Sequence, residues 1–328
     1  MNGNDARPAH TLVKDLKAGS AVVQFFQIRS KEARKTRGGQ DYVDLVLGDK
    51  SGTISAKMWS DVIRKWGHEF GPGDFVRVDA RVETYLDQNQ MVVDKIRKAE
   101  PTEIPDISLL VRTCAEDPQK LLEVLKGVIA SLEPQSLAEL VDAIIDRHAD
   151  AFTQAPAAKM IHHAYRGGLI EHTVSVVRKV EAILPLEKGI NRNIALAGAI
   201  LHDIGKCREL ALTSATRTFE GKLVGHIVLG IQMLQEAAME KGVAEEIWLR
   251  ELEHVMLAHH GEGQFGSPVR PMTREAVLVH FVDNLDSKLK IVEEALETAD
   301  ADGFTPYNKW MEGRLFAGSH AVPQGDEQ

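Results

Sequence analysis

Two rhythms divide the chain. From Ser20 to Ala99 the apolar residues come in short Val- and Ile-rich runs with partial two-residue alternation. That pattern predicts strands at Ala21–Ile28, Tyr42–Leu47, Thr53–Trp59, Phe75–Tyr85 and Met91–Ile96. Turn-forming residues separate them. Asp49-Lys50-Ser51-Gly52 fits a hairpin turn, Gly71-Pro72-Gly73-Asp74 breaks the chain before the fourth strand, and Asp87-Gln88-Asn89 fits another tight connection. Asp61 to Phe70 reads as a short helix. Five strands with a helix after the third describe an OB-fold, a small barrel that commonly binds single-stranded nucleic acid or oligosaccharide.

After a linker at Glu100-Pro101 to Pro105 the period changes. Leu121, Leu122, Val124, Leu125, Val128 and Ile129 form one helical stripe, and Leu137, Leu140, Val141 and Ile144 another. Helical spacing persists nearly to the end. The expected fold is therefore multidomain, an N-terminal all-β OB-fold barrel followed by an all-α domain. Its expected divisions are a barrel over residues 1–100, a linker and helical segment over 101–155, a second domain over 156–316 and a flexible polar tail over 317–328.

With 44% hydrophobic and 27% charged residues in 328, the chain has the composition of an ordinary globular protein. Its longest apolar runs, such as Ile194 to Leu201, fall well short of the roughly 20 residues that span a bilayer, so no membrane association is expected. Met1 to His10 lacks the apolar core of a secretory signal, and two cysteines, Cys114 and Cys207, suit a reducing compartment. The expected location is cytoplasmic.

A net charge of −9 argues against a nucleic-acid partner, but the average conceals a division. Residues 1–100 hold 17 basic against 14 acidic side chains, leaving 22 against 34 for the remainder. Arg29, Lys31, Arg34, Lys35 and Arg37 fall in the predicted connection between the first two strands and are the expected nucleic-acid contacts. Phe25, Phe26, Tyr42, Trp59 and Tyr85 are available for base stacking or for the core, and alternation does not assign their faces.

The helical part carries the candidate chemistry. His202-Asp203, within Leu201-His202-Asp203-Ile204-Gly205-Lys206, is accompanied by His172 upstream and by His226, the pair His259-His260 and Asp283 downstream, all in segments that read as helices. Inward-pointing His and carboxylate side chains of a helical bundle can converge on metal ions. Asp203 has two oxygens and can bridge two ions, with neutral imidazoles completing the shells. Two ions about 3.5–4 Å apart would activate water and neutralise charge on a phosphodiester. Imidazole-rich, carboxylate-containing sets suit Mn, Fe, Co or Zn better than Mg. Lys206 is a candidate catalytic residue beside Asp203, able to contact a substrate phosphate or pair with an acidic neighbour. Asp286, one turn beyond Asp283, is a candidate for orienting a ligand.

The order His, His-Asp, His, His-His, Asp resembles the ligand pattern of HD-superfamily phosphohydrolases. Gly167-Gly168-Leu169-Ile170-Glu171-His172-Thr173, Glu220-Gly221-Lys222-Leu223-Val224-Gly225-His226-Ile227, His259-His260-Gly261 with Gly266-Ser267-Pro268, and His280-Phe281-Val282-Asp283-Asn284-Leu285-Asp286 resemble the YhaM-type 3′-to-5′ exoribonucleases. That family joins an OB-fold to an HD-type helical domain. The resemblance implies one ion held by His172, His202, Asp203 and Asp283 and another by Asp203, His226, His259 and His260, with Mn²⁺ the usual metal. Gly168 stands where related three-metal proteins carry a Glu, so two ions are expected. Gln264 departs from the acid that the family pattern suggests. Phe304 to Arg314 also resembles the family and is expected to dock the last helix.

The implied function is a metal-dependent 3′-to-5′ exonuclease of single-stranded RNA, with single-stranded DNA as a further substrate. A homo-oligomer is compatible with this reading. The alternatives are a phosphohydrolase of small nucleotides or cyclic dinucleotides and a binding module with a structural metal centre. The sequence has Gly266-Ser267-Pro268 in place of the Gly-Tyr-Pro of cyclic-di-GMP enzymes.

Overall fold

The structure, a computed structural model, describes residues 10–36, 38–66, 70–86, 88–111, 113–157, 165–212, 217–300 and 302–318. The chain forms two compact units, with the division between Thr113 and Cys114.

The first unit contains β1 (Ala21–Lys35), β2 (Asp41–Asp49), β3 (Gly52–Trp59), α1 (Ser60–Trp66), β4 (Phe75–Tyr85) and β5 (Gln88–Ala99). They close in the order β1-β2-β3-β5-β4, with β3 and β5 parallel and the remaining pairs antiparallel, which is the expected OB barrel. Alternation supplies the core. Val43, Leu45 and Leu47 of β2, Ile54, Ala56 and Met58 of β3, and Val76, Val78, Ala80 and Val82 of β4 all point inward. A register shift at Asp79/Ala80 lets Val93 and Ile96, three residues apart on β5, share that interior. Asp49 fixes the β2–β3 turn, accepting from Ser51 N at 2.7 Å and Ser51 Oγ at 2.6 Å, and also anchors the incoming chain through Val13 N at 2.7 Å.

Two expectations change here. β1 runs seven residues beyond Ile28, because Ser30 to Lys35 pair with Asp41 to Val46 as a long hairpin after a bulge at Ile28/Ser30. The helix after β3 is described only to Trp66, and Phe70 packs in the barrel core outside any helix.

The stretch 101–155 is shared between the units. Ile104 and Leu110 pack on Phe75 and Ala99 of the barrel, whereas α2 (Pro118–Ile129) and α3 (Gln135–Gln154) contribute to the core of the second unit. That unit continues with α4 (Gly168–Ile183), α5 (Arg192–Leu201), α6 (Lys206–Glu209), α7 (Phe219–Leu223), α8 (His226–Lys241), α9 (Ile247–Ala258) and α10 (Arg274–Leu296). Every residue of α5 from Ile194 to Leu201 is buried, so this helix is apolar on all sides and lies in the middle of the bundle, against α4, α9 and α10. Among the described residues no helix is long and apolar enough to cross a membrane. The expected tail lies, from residue 319 onward, outside the described residues.

Candidate metal centre

The apolar stretch of α5, Ile194–Leu201, ends in the bundle interior, and that ending delivers the first polar pair. His202 and Asp203 occupy the turn after α5, His259 and His260 the turn after α9, and His226 the first position of α8. Only His172 on α4 and Asp283 on α10 lie within helix bodies, whereas the sequence pattern places all seven in helices. The reason is chemical. The last carbonyls of a helix lack intrahelical partners. His202 Nδ1 bonds to Ala199 O at 2.9 Å and His259 Nδ1 to Met256 O at 2.7 Å, the same link to the carbonyl three residues back in both helices. Gly205 permits the convergence, since a Cβ there would lie 1.9 Å from the His226 carbonyl oxygen.

Two buried clusters result, His172 with His202 and Asp283, and Asp203 with His226, His259 and His260. Asp203 lies between them. Its Oδ2 is 3.6 Å from His172 Nε2 and 3.4 Å from His202 Nε2, while its Oδ1 is 3.5 Å from His226 Nε2 and 3.7 Å from His259 Nε2. His172 Nε2 lies 3.1 Å from Asp283 Oδ1. The Lys206 ammonium donates to Asp203 Oδ2 at 2.5 Å.

Each of the five histidines has an acceptor at Nδ1. Besides the two helix-end carbonyls, His260 has Phe265 O at 2.6 Å, His172 has Asp286 Oδ2 at 2.6 Å, and His226 has Glu209 Oε2 at 3.1 Å. An acceptor at Nδ1 keeps the proton there and leaves the Nε2 lone pair directed at the cluster. Asp203 Oδ1, His226 Nε2 and His259 Nε2 are buried without a hydrogen-bond partner. Such orphans are costly in a folded protein unless something else satisfies them. Three converging lone-pair acceptors of this kind fit a divalent cation.

Electrostatics favour the same state at Asp203, His259 and His260, and oppose it at His172, where a bound cation would have to displace a proton. Burial alone would raise the Asp203 carboxyl, but Lys206, His202 and His226 hold it well below its ordinary value. Burial and the neighbouring His260 and His202 hold the His259 imidazole well below its ordinary value, and burial with His226 lowers that of His260. At His172 burial opposes protonation, yet Asp283 and Asp286 outweigh it and raise the imidazole to about 9.

The outer partners are partly legible in sequence. Asp286 bonds His172 and also accepts from Ser175 Oγ at 2.5 Å and Lys179 Nζ at 2.6 Å. Glu209, the corresponding carboxylate for His226, is not among the residues the sequence pattern singles out. A Glu three residues after Lys206 resembles any helix carboxylate, and the available signal is the number of histidines that need an Nδ1 partner. At the rim, Gln264 donates to Glu262 at 2.7 Å and Gly266 turns the chain with φ +101°. In the C-terminal segment Trp310 O accepts from Lys288 of α10 at 2.8 Å. Arg314 is held there by Thr305 O and Asp300, both at 2.8 Å.

The basic residues of the barrel differ from expectation. Arg29, Lys31, Arg34 and Lys35 lie on β1, not in a connecting loop, and Arg37 lies outside the described residues. Arg34 pairs with Glu32 at 2.7 Å and Asp44 at 3.4 Å, and Lys35 with Asp41 at 3.6 Å. Lys31 donates to Phe70 O at 2.8 Å and Arg29 to Leu110 O at 3.3 Å.

An OB barrel together with a helical bundle centred on converging His and Asp side chains defines an HD-domain protein with an OB-fold module. Family models agree: one described as "HD domain" matches residues 169–288, and one described as "OB-fold nucleic acid binding domain" matches 27–99. A third, of helicase type, matches 104–208, a stretch without a Gly-x-x-x-x-Gly-Lys phosphate loop. The chain is 31% identical to the 3′-5′ exoribonuclease YhaM of Halalkalibacterium halodurans, over 91% of this chain and 93% of that protein. It is 33% identical to YhaM of Bacillus velezensis and 31% to that of Bacillus subtilis, each over 91% of this chain and 95% of the relative. The chain belongs to the YhaM family. Over 27% of its length the chain also resembles a domain of replication protein A from Methanococcus maripaludis, at 18% identity and a TM-score of 0.24, over 94% of that chain.

Proposed function

We propose that the protein is a metal-dependent 3′-to-5′ exoribonuclease that hydrolyses phosphodiester bonds of single-stranded RNA, and of single-stranded DNA as a second substrate, in the cytoplasm. The observation that carries this reading is the set of five histidines with Nδ1 engaged, around an Asp203 whose Oδ1 has no partner. Membership of a family whose named relatives are 3′-5′ exoribonucleases supports the direction and substrate.

His172, His202, Asp203 and Asp283 would hold one divalent ion and Asp203, His226, His259 and His260 the other. Mn²⁺ is the first candidate, with Fe, Co or Zn compatible with the donor set. Bound there, the ions would supply a nucleophile at neutral pH and neutralise charge on the attacked phosphate. The chain does the rest. Asp203 presents one oxygen to each cluster, and Lys206, 2.5 Å from Asp203 Oδ2, is placed to exchange that partner for a phosphate oxygen. Asp286 orients His172. The β1–β2 hairpin is the proposed RNA contact. An incoming phosphate would take Arg34 from Glu32 and Lys35 from Asp41, both exposed carboxylates, at little cost, since solvent screens such pairs.

The deciding experiment incubates the protein with 5′-labelled single-stranded RNA and Mn²⁺ beside Asp203→Ala. A ladder shortening from the 3′ end, absent in the variant, is expected. Intact RNA across several divalent metals, with hydrolysis of mononucleotides or cyclic dinucleotides, would transfer the assignment to small-nucleotide phosphohydrolysis.

A further inference from the structure

The two clusters are supported by different hardware. On one side Asp286 is buried, and Lys179 and Ser175 of α4 tie it to a neighbouring helix of the bundle. On the other, Glu209 ends α6, a helix of four residues, and its side chain is 5% exposed. Its Oε2 faces His226 Nδ1 at 3.1 Å and its Oε1 faces Arg217 Nε at 3.0 Å. Burial alone would raise its carboxyl, but His226, Arg217 and Lys206 together hold it below the ordinary value.

Local structure fixes this carboxylate. Leu210 and Arg217 form an antiparallel bridge, Thr218 N donates to Glu209 O at 2.9 Å, and the Thr218 hydroxyl donates to Arg208 O at 2.8 Å while accepting from Gly221 N at 2.9 Å. Gly221 packs so closely that a Cβ there would lie 2.3 Å from Glu209 O. Arg208 pairs with Glu220, joining α6 to α7 a second time. The described residues 204–212 and 217–225, between the His-Asp turn and His226, thus clamp one carboxylate.

We propose that Glu209, held by Arg217 and by the close packing of Gly221, is the positioning residue of His226 and sets how tightly the second ion binds, separately from the first. This rests on the two-ion reading above. His226 is the sole ligand of its cluster whose Nδ1 partner is a side chain; His259 and His260 use backbone carbonyls. Loss of Glu209 would free the ring to rotate or change tautomer, and removal of such outer partners typically weakens metal affinity 10- to 100-fold.

The test titrates metal-free full-length protein with Mn²⁺ and follows bound and free ion by electron paramagnetic resonance. It compares wild type, Glu209→Gln, Glu209→Ala, Glu209→Asp and, as reference, Asp286→Asn. Two ions are expected on wild type. In Glu209→Gln and Glu209→Ala one ion should keep its affinity and the other weaken by about 10- to 100-fold, with Glu209→Asp recovering part of the loss. Asp286→Asn should weaken the opposite ion, so that the Glu209→Ala/Asp286→Asn pair affects both. Gly221→Ala, which leaves every side chain of the centre in place, should reproduce a weaker form of the Glu209 defect. Unchanged affinities for both ions in folded Glu209→Gln would overturn the inference alone. One ion or none on wild type would overturn the two-ion reading itself.

Discussion

The barrel and the bundle treat their buried polar groups in opposite ways. Asp49 in the barrel is completely enclosed, and both its oxygens are used, by Ser51, Val13 and His10. Asp203 in the bundle is equally buried, yet Oδ1 has no hydrogen-bond partner. A satisfied buried carboxylate stabilises a fold. A carboxylate with one oxygen unsatisfied, ringed by imidazoles, lowers stability unless a bound cation meets that oxygen. The contrast is what the proposed roles of the two acids predict.

Asp203→Ala should break the functional side of that contrast first. RNA hydrolysis should fall more than about 100-fold, beyond the effect of losing an outer partner. The melting temperature of the metal-free protein should fall little, because the variant removes an oxygen, Oδ1, that lacked a donor, and the Lys206 ammonium released from Oδ2 can turn to solvent. A drop of many degrees would make Asp203 a structural residue after all.

Asp49→Ala should do the reverse. It strips partners from Val13 N and Ser51 N and should cost about 1–3 kcal/mol in denaturant unfolding of the barrel. Hydrolysis of a minimal phosphodiester should be unaffected, and a matching loss there would dissolve the distinction. The same residue gives a pH signature. Burial would raise its carboxyl, but the bonds from His10, Ser51 and Val13 outweigh that and hold it below the ordinary value of 3.8. A carboxyl depressed in the folded state stabilises fully above its unfolded value. Wild-type barrel stability should therefore decline as pH falls below about 4, relative to Asp49→Asn, through protonation of this group.

Metal binding offers a finer probe. Saturating Mn²⁺ at about 100 times its dissociation constant should stabilise the bundle by about 2.7 kcal/mol for each ion bound. Hydrogen exchange should slow in the turns after α5 and α9 and stay unchanged in β1 to β5. The smallest effect is expected at the hairpin, where Arg34→Gln with Lys35→Gln should leave the unfolding midpoint nearly unchanged. The salt dependence of RNA binding should become shallower by about one unit for each cation–phosphate pair removed.

These differences also explain what could be read from sequence. That the seven His and Asp residues converge was legible because proposed metal chemistry restricts residue type, and the place of Asp286 because one helical turn separates it from Asp283. Glu209 was not, since its meaning depends on His226 and Arg217 folding back onto it. The end of β1 escapes the pattern for another reason. Ser30 to Lys35 are polar on both faces, so alternation vanishes where the hairpin leaves the core, although its backbone pairing with β2 continues. The side-chain partners of the hairpin cations, from Asp41 and Asp44 across the strand, follow from that register and could not precede it.

The link from His202 and His259 to the carbonyl three residues back bears on the order of assembly. An interaction that short in sequence closes with the final turn of its own helix, so ring orientation and tautomer at these two positions are encoded locally. His172 must wait for Asp286, 114 residues away. Loop-closure entropy makes such distant pairings late events. The centre should therefore form in two stages, with two ligands preset on their helix ends and the remainder recruited as α10 and the α6–α7 segment dock. Pulse-labelled exchange during refolding would register this as early protection at Ala258 and His202 and late protection around Asp286.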